Sequence, residues 1–340
     1  MALGSVASEP RLRWQPSSSS LAAPGAEQLA RAANASWQGT ASQSLAEFAS
    51  RYFSSSEFQA LNSGSYHNVD HPLVVAEATG AFAHGLGWSP QRKEFMQQVA
   101  LLHDADDRSQ LGSEDIKTGT PARAQVTLEW MDQQQDALKQ RFGWNDEQLL
   151  EAKALIARTD FPFDDKARKP MGTRYDGQSP LQVYRELLEQ LPGEARSRVM
   201  QDGLALRFAD QAGFYAGSFD LAVESVQGLA TELKSVGVPT DLAGSLKFTP
   251  TFLAGVGKDL DHDRQLAQEL GVSAHLPDRD ALLSAWDPGQ AQRFRANAQM
   301  FELMGQAIGS QSPEQVGQQL ESLKESTRIS YRLTTGQQPT

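Results

Sequence analysis

Cysteine is absent from this 340-residue chain, which removes disulfides, thiolate nucleophiles and cysteine-ligated zinc and leaves the redox compartment open. No apolar run is long enough to cross a bilayer, so no spanning helix and no membrane partner are expected. Alternating apolar and polar runs, the mark of half-buried strands, are nearly missing. Positive charge is in deficit: 31 Lys and Arg stand against 42 Asp and Glu, for a formal net charge of −11. That balance makes a nucleic-acid polymer an unlikely partner, although a local basic pocket for one phosphate is compatible with it. A small phosphorylated substrate fits better.

The remaining composition, 39% apolar and 21% charged, describes a globular protein with enough chain to bury a substantial core. Residues 1–25 carry the run Ser17 to Ser20 with Pro10, Pro16 and Pro24 nearby, and Arg11, Arg13 and Gln15 interrupt each short hydrophobic stretch. This composition predicts a disordered tail rather than a secretory signal, and a cytoplasmic location. Its serine-rich, acid-poor character also resembles the secretion segments of bacterial type III substrates.

From about Ala26 onward helical periodicity dominates. Leu45, Phe48, Ala49 and Phe53 share a face, and Phe95, Val99 and Leu102 form a clean stripe. Helix starts are signalled at Ser89-Pro90, Thr120-Pro121, Asn145, Ser179-Pro180 and Ser218. Pro162, Pro170, Gly172 and Gly177 predict a loop-rich interruption over 159–177. A second Gly- and Pro-punctuated stretch is expected over 237–257, with further helices to Leu333. The expected fold class is all-α, divided into a tail (1–25), a helical core (26–236) and a helical extension (237–340) that either completes the core or forms a lid.

The chemistry concentrates in Tyr66-His67-Asn68-Val69-Asp70-His71, then His103-Asp104, then Asp210 within Arg207-Phe208-Ala209-Asp210. His71, His103, Asp104 and Asp210 are nitrogen and oxygen donors of the kind a catalytic divalent ion takes, in a site that keeps positions open for water. His103-Asp104 ends the stripe that drives its helix inward, where an imidazole and a carboxylate are costly without a partner. Asp210 follows Val199, Gly203 and Leu206 on one helical face. His67 and His71, four residues apart, share a face if both lie on a first helical turn, so that one binds the ion while the other points across the open position. A second His-Asp pair, His262-Asp263, follows no buried stripe and reads as a solvated helix cap.

The ordered set His…His-Asp…Asp resembles the HD-domain superfamily of metal-dependent phosphohydrolases over residues 65–217. Tyr66-His67-Asn68-x-x-His71 is similar to the opening motif of its cyclic-nucleotide phosphodiesterase-like branch. The resemblance implies an HD-like helical bundle with additional C-terminal helices. It implies His71, His103, Asp104 and Asp210 as ligands of one or two divalent ions, whether Mg, Mn, Zn, Fe or Co, with Asp104 able to bridge a second. It implies His67 as the acid that protonates the leaving oxygen, and Asp107 as the carboxylate that orients water, where several subfamilies carry the longer Glu. Asn68, Arg108, Lys117 and Arg123 are the candidate substrate-binding residues, the three cations being nearest to neutralise phosphate. Thr159 or Asp160 would support the pocket wall. No histidine lies between Asp104 and Asp210, which disfavours the HD-type di-iron oxygenases, and the Gly-Tyr-Pro motif of the cyclic-dinucleotide branch is absent. The implied function is phosphoester hydrolysis, with a nucleotide as the implied substrate. The alternative is a non-hydrolytic interaction protein on an HD scaffold, such as a secreted effector.

Overall fold

The computed structural model describes residues 40–62, 66–105, 123–160, 163–168, 170, 172–235, 238–258, 260–272 and 276–338. Among them the fold is all-α, with sixteen helices, one 3₁₀ turn and no strand. In chain order the helices are α1 (Thr40–Ser50), α2 (Ser55–Leu61), α3 (Asp70–Gly80), α4 (Pro90–Leu102), α5 (Arg123–Gln133), α6 (Gln135–Phe142), α7 (Asp146–Thr159), α8 (Pro180–Glu189) and α9 (Gly193–Ala212). The 3₁₀ turn Gly213–Ala216 follows, then α10 (Phe219–Ser235), α11 (Leu242–Gly255), α12 (Asp261–Glu269), α13 (Arg279–Ala285), α14 (Pro288–Ile308), α15 (Pro313–Gln318) and α16 (Leu320–Thr335). The expected tail, the Thr120-Pro121 start signal and Asp107, Arg108 and Lys117 lie outside the described residues.

Local chemistry sets the helix starts. The Ser89 hydroxyl accepts from Arg92 N with Pro90 at the first position of α4, Asn145 and Gln148 form a reciprocal cap on α7, and Ser179 with Pro180 opens α8. The Ser218 hydroxyl accepts from Leu221 N at the start of α10. The interruption expected over 159–177 falls between α7 and α8.

The Gly- and Pro-punctuated stretch over 237–257 contains α11. Asp241 caps it through Gly244 N at 2.7 Å, and Ala243, Leu246, Thr249 and Leu253 form a buried face on a helix packed against α14. Burial of that face outweighs the roughly 3 kcal/mol by which Pro250 disfavours a helix interior.

Helix α3 is central, packed by α1, α4, α9 and the 3₁₀ turn, while α7 is packed by α5, α8 and α9. One buried apolar cluster runs from Leu45 through Phe82 and Phe208 to Trp286, Phe301 and Tyr331, so residues on both sides of position 237 share a core. Trp286 shows how the C-terminal helices are tied in. Its ring stacks on Phe82 at 5.6 Å and meets Phe208 edge-on at 5.3 Å, and its Nε1–H donates to the Ala78 carbonyl of α3 at 2.8 Å. A large apolar side chain so buried stabilises by about 1.5–3 kcal/mol. At Gly85 a Cβ would stand 2.1 Å from the Ala285 carbonyl oxygen, so only glycine allows this approach.

Two buried polar groups reinforce the bundle. Arg92 reaches both Asp202 and Glu151, and Asp202 also accepts from Trp88 Nε1 at 2.8 Å. Arg158 of α7 makes a two-pronged pair with Asp263 of α12 at 2.8 and 2.7 Å, both side chains fully buried. The expected solvated cap at His262-Asp263 is therefore corrected. Asp263 lies on the inward face of α12, and the guanidinium beneath it satisfies its charge.

Candidate metal centre

Three segments distant in sequence deliver the site. His71 is the second residue of α3, His103 caps the C-terminus of α4, Asp104 follows in the turn, and Asp210 lies near the end of α9. Both histidines are fully buried as side chains, whereas Asp104 and Asp210 keep 14% and 19% exposure, so the carboxylates form the open edge. The approach of α3 to α4 and α9 brings these residues together.

His71 Nε2 and His103 Nε2 are 3.1 Å apart. Asp104 Oδ2 lies 3.0 and 3.1 Å from them, and Asp210 Oδ1 lies 3.3 Å from each. All four donor atoms fall within 4.8 Å of one another, and the group could hold a metal ion. Bonds of about 2.1 Å give neighbouring ligand separations of roughly 3.0 Å in octahedral and 3.4 Å in tetrahedral coordination. Five of the six separations match that range.

Protonation makes the same point. His103 Nδ1 lies 2.7 Å from the Ala100 carbonyl, which can only accept, so Nδ1 carries hydrogen. In the neutral ring Nε2 is then a bare lone pair facing two carboxylate oxygens and another imidazole nitrogen. A cation or a proton must lie among them. Burial opposes charge on His103, but Asp104 and Asp210 outweigh it and hold its pKa well above the ordinary value of 6.5. Burial likewise disfavours charge on Asp210, and its hydrogen bonds to the two imidazoles more than reverse that, depressing its carboxyl.

His67 belongs to the site, though not as a helical neighbour of His71. The helix starts only at Asp70, and the Asn68 side chain accepts from Asp70 N at 2.9 Å, fixing the turn before it. Asn68, expected to bind substrate, therefore uses its oxygen to shape the chain. The turn places the His67 and His71 rings 5.1 Å apart, nearly perpendicular, with His67 Nε2 3.7 Å from Asp104 Oδ2. Tyr66 and Phe214 close the other side, their rings 4.9 and 5.6 Å from that of His71.

Glu232 of α10 was not found by sequence reasoning. Its Oε1 accepts from His67 Nδ1 at 2.6 Å, and its Oε2 accepts from the backbone N–H groups of Tyr66 and His67 at 2.9 and 3.2 Å. One carboxylate thus fixes both the loop and the ring. The available signal was modest: Glu232 ends the row Leu221, Ser225, Gly228, an acid where the helix turns inward. Arg123, the first residue of α5, places Nη1 3.0 and 3.3 Å from the two His67 ring nitrogens and 3.4 Å from Glu232 Oε1. The predicted cation is therefore beside the predicted acid. Thr159 instead bonds locally to the Ile156 carbonyl, and its own carbonyl accepts from Arg207 at 2.7 Å.

No family model, curated protein or solved structure matches the chain. Fold and site together define an all-α protein with a buried His₂Asp₂ group that could hold a metal ion. No helix among the described residues is long and apolar enough to cross a membrane.

Proposed function

We propose that this protein is a metal-dependent phosphohydrolase of the HD type that cleaves a phosphoester, with a nucleotide as substrate. The observation that carries the reading is the placement of His67. An imidazole oriented by Glu232 presents Nε2 to the open, carboxylate edge of a four-donor cluster. A purely structural histidine pair gains nothing from that arrangement.

His71, His103, Asp104 and Asp210 would hold the ion, Mg²⁺ and Mn²⁺ included among the candidates. When bound, a divalent ion acidifies water and polarises a phosphoryl oxygen. The protein's own groups do the rest. Glu232 accepts the Nδ1 hydrogen of His67 and offsets the charge of the Arg123 guanidinium beside the ring, so that the protonated ring would turn Nε2–H towards the cluster to protonate the departing ester oxygen. Arg123 sets a fixed positive charge on the same side, where an anionic substrate would arrive. Tyr66 and Phe214 shield the buried face of His71 from water.

The test is metal analysis of the purified protein together with a hydrolysis screen over phosphomonoesters, cyclic nucleotides and nucleoside triphosphates. Stoichiometric metal with turnover of at least one class supports the reading. Bound metal without turnover of any class transfers the lead to an interaction protein on the same scaffold.

A further inference from the structure

Arg293, Asn297 and Phe301 follow one another at four-residue spacing on α14 and face the 3₁₀ turn that continues from the Asp210 helix. Asn297 is completely buried. A buried amide is costly unless hydrogen-bonded, and here Nδ2 donates to the Tyr215 carbonyl at 2.8 Å and the Gly217 carbonyl at 3.0 Å. Arg293 Nε donates to the carbonyl between them, that of Ala216, at 2.6 Å. Carbonyls at a helix C-terminus lack donors from their own helix. Three successive ones are satisfied here by a helix of the C-terminal third.

The turn so gripped adjoins two metal-site residues. Asp210 lies three residues before it. Phe214, within it, stacks on the His71 ring at an interplanar angle of 16° and packs against Tyr66. At Gly213 an added Cβ would stand 3.2 Å from Val74 and 3.3 Å from Ala78, so the turn presses directly on α3, the helix that carries His71. The turn is clamped between α3 and α14.

We propose that Asn297, assisted by Arg293, is a positioning residue of the metal centre, setting His71 and Asp210 against each other through the turn 213–217. This rests on the metal reading above. Metal sites tolerate ligand displacements of only about 0.5 Å, and loss of supporting hydrogen bonds behind ligands typically weakens metal binding about 10–100-fold. It assigns the C-terminal third a part in the site although no ligand comes from it.

Mn²⁺ affinity, measured by competition with a fluorescent chelator, is compared in the full-length wild type, Asn297→Leu, Arg293→Met and Val316→Ala. Val316 is buried on α15, outside this contact, and serves as a control for general destabilisation. The imidazole ¹⁵N resonances of each metal-free protein provide a readout independent of binding. Asn297→Leu is expected to keep its helical content, to bind Mn²⁺ about 10–100-fold more weakly and to shift the His71 resonances. Arg293→Met should do the same to a smaller degree and decides the question if Asn297→Leu does not fold. Val316→Ala should leave affinity and resonances unchanged. Wild-type affinity and unshifted His71 signals in the folded clamp variants overturn the proposal, as do equal changes in Val316→Ala. Absence of Mn²⁺ binding in the wild type counts against the metal reading, and the resonances then decide the clamp alone.

Discussion

His67 and Glu232, separated by 165 residues, meet through a 2.6 Å contact between Nδ1 and Oε1. The ring nitrogen left over faces Asp104 at 3.7 Å. Orientation of the proposed proton donor thus depends on a helix beyond the last proposed ligand.

Removal of that carboxylate should mimic, in part, removal of the imidazole. His67→Ala is expected to retain metal and lose about 10²–10⁴-fold in turnover of esters with poor leaving groups, the usual contribution of a positioned general acid. Glu232→Gln should lose less, and the double variant should be no worse than His67→Ala because the two act as a unit. The deficits should shrink for activated aryl esters, whose departing oxygen scarcely needs a proton. Steady-state kinetics on both ester types decide this; equal losses on both argue against the acid role.

The two imidazoles of the cluster should behave differently from His67. His71→Ala is expected to abolish stoichiometric metal, since His71 Nε2 lies within 3.3 Å of the other three donor atoms. Elemental analysis checks it, and full metal content in this variant removes His71 from the ligand set.

The metal-free protein should have a characteristic pH profile. Burial opposes the His103 charge, but neighbouring carboxylates raise its pKa well above 6.5, so its contribution to stability is complete below about 6.5 and is lost as pH rises through the raised value. Asp210 is depressed below its ordinary 3.8, because hydrogen bonds from the imidazoles overcome burial, and its contribution is present above that value and lost as pH falls. Thermal unfolding of the metal-free protein should therefore be highest between about pH 4 and 6.5 and decline towards alkaline pH. Metal should cancel the alkaline decline, since a cation replaces the proton. A flat profile from pH 6 to 9 without metal contradicts this.

Arg158 and Asp263 supply a prediction about stability alone. Asp263→Ala leaves a fully buried guanidinium without its two-pronged partner and should destabilise by about 3–5 kcal/mol in denaturant unfolding. A loss under 1 kcal/mol would show that water reaches Arg158.

The fold class was legible because capping residues and 3.6-residue periodicity are local signals, and Ser89, Asn145 and Ser179 act where the pattern placed them. The donor cluster was legible because His71, His103, Asp104 and Asp210 sit at helix ends or on buried faces. What escaped depends on packing between distant helices. Nothing near Glu232 in sequence announces His67, and Asp263 looked solvated because its partner lies 105 positions earlier. The Gly- and Pro-punctuated stretch over 237–257 did not announce α11, whose buried face around Leu246 and Leu253 overrides Pro250. The resemblance to HD proteins supplied roles for His67 and Asp104, whereas spacing alone supplied only proximity.

The central claim, that the four-residue cluster holds the ion that makes this protein a phosphohydrolase, is tested most directly by titrating Mn²⁺ into metal-free protein while following phosphoester hydrolysis, in the wild type and in Asp210→Ala. The account predicts activity that rises from zero and saturates at stoichiometric metal in the wild type, and no such rise in Asp210→Ala. Hydrolysis that is independent of metal, or equal in the two proteins, would contradict it.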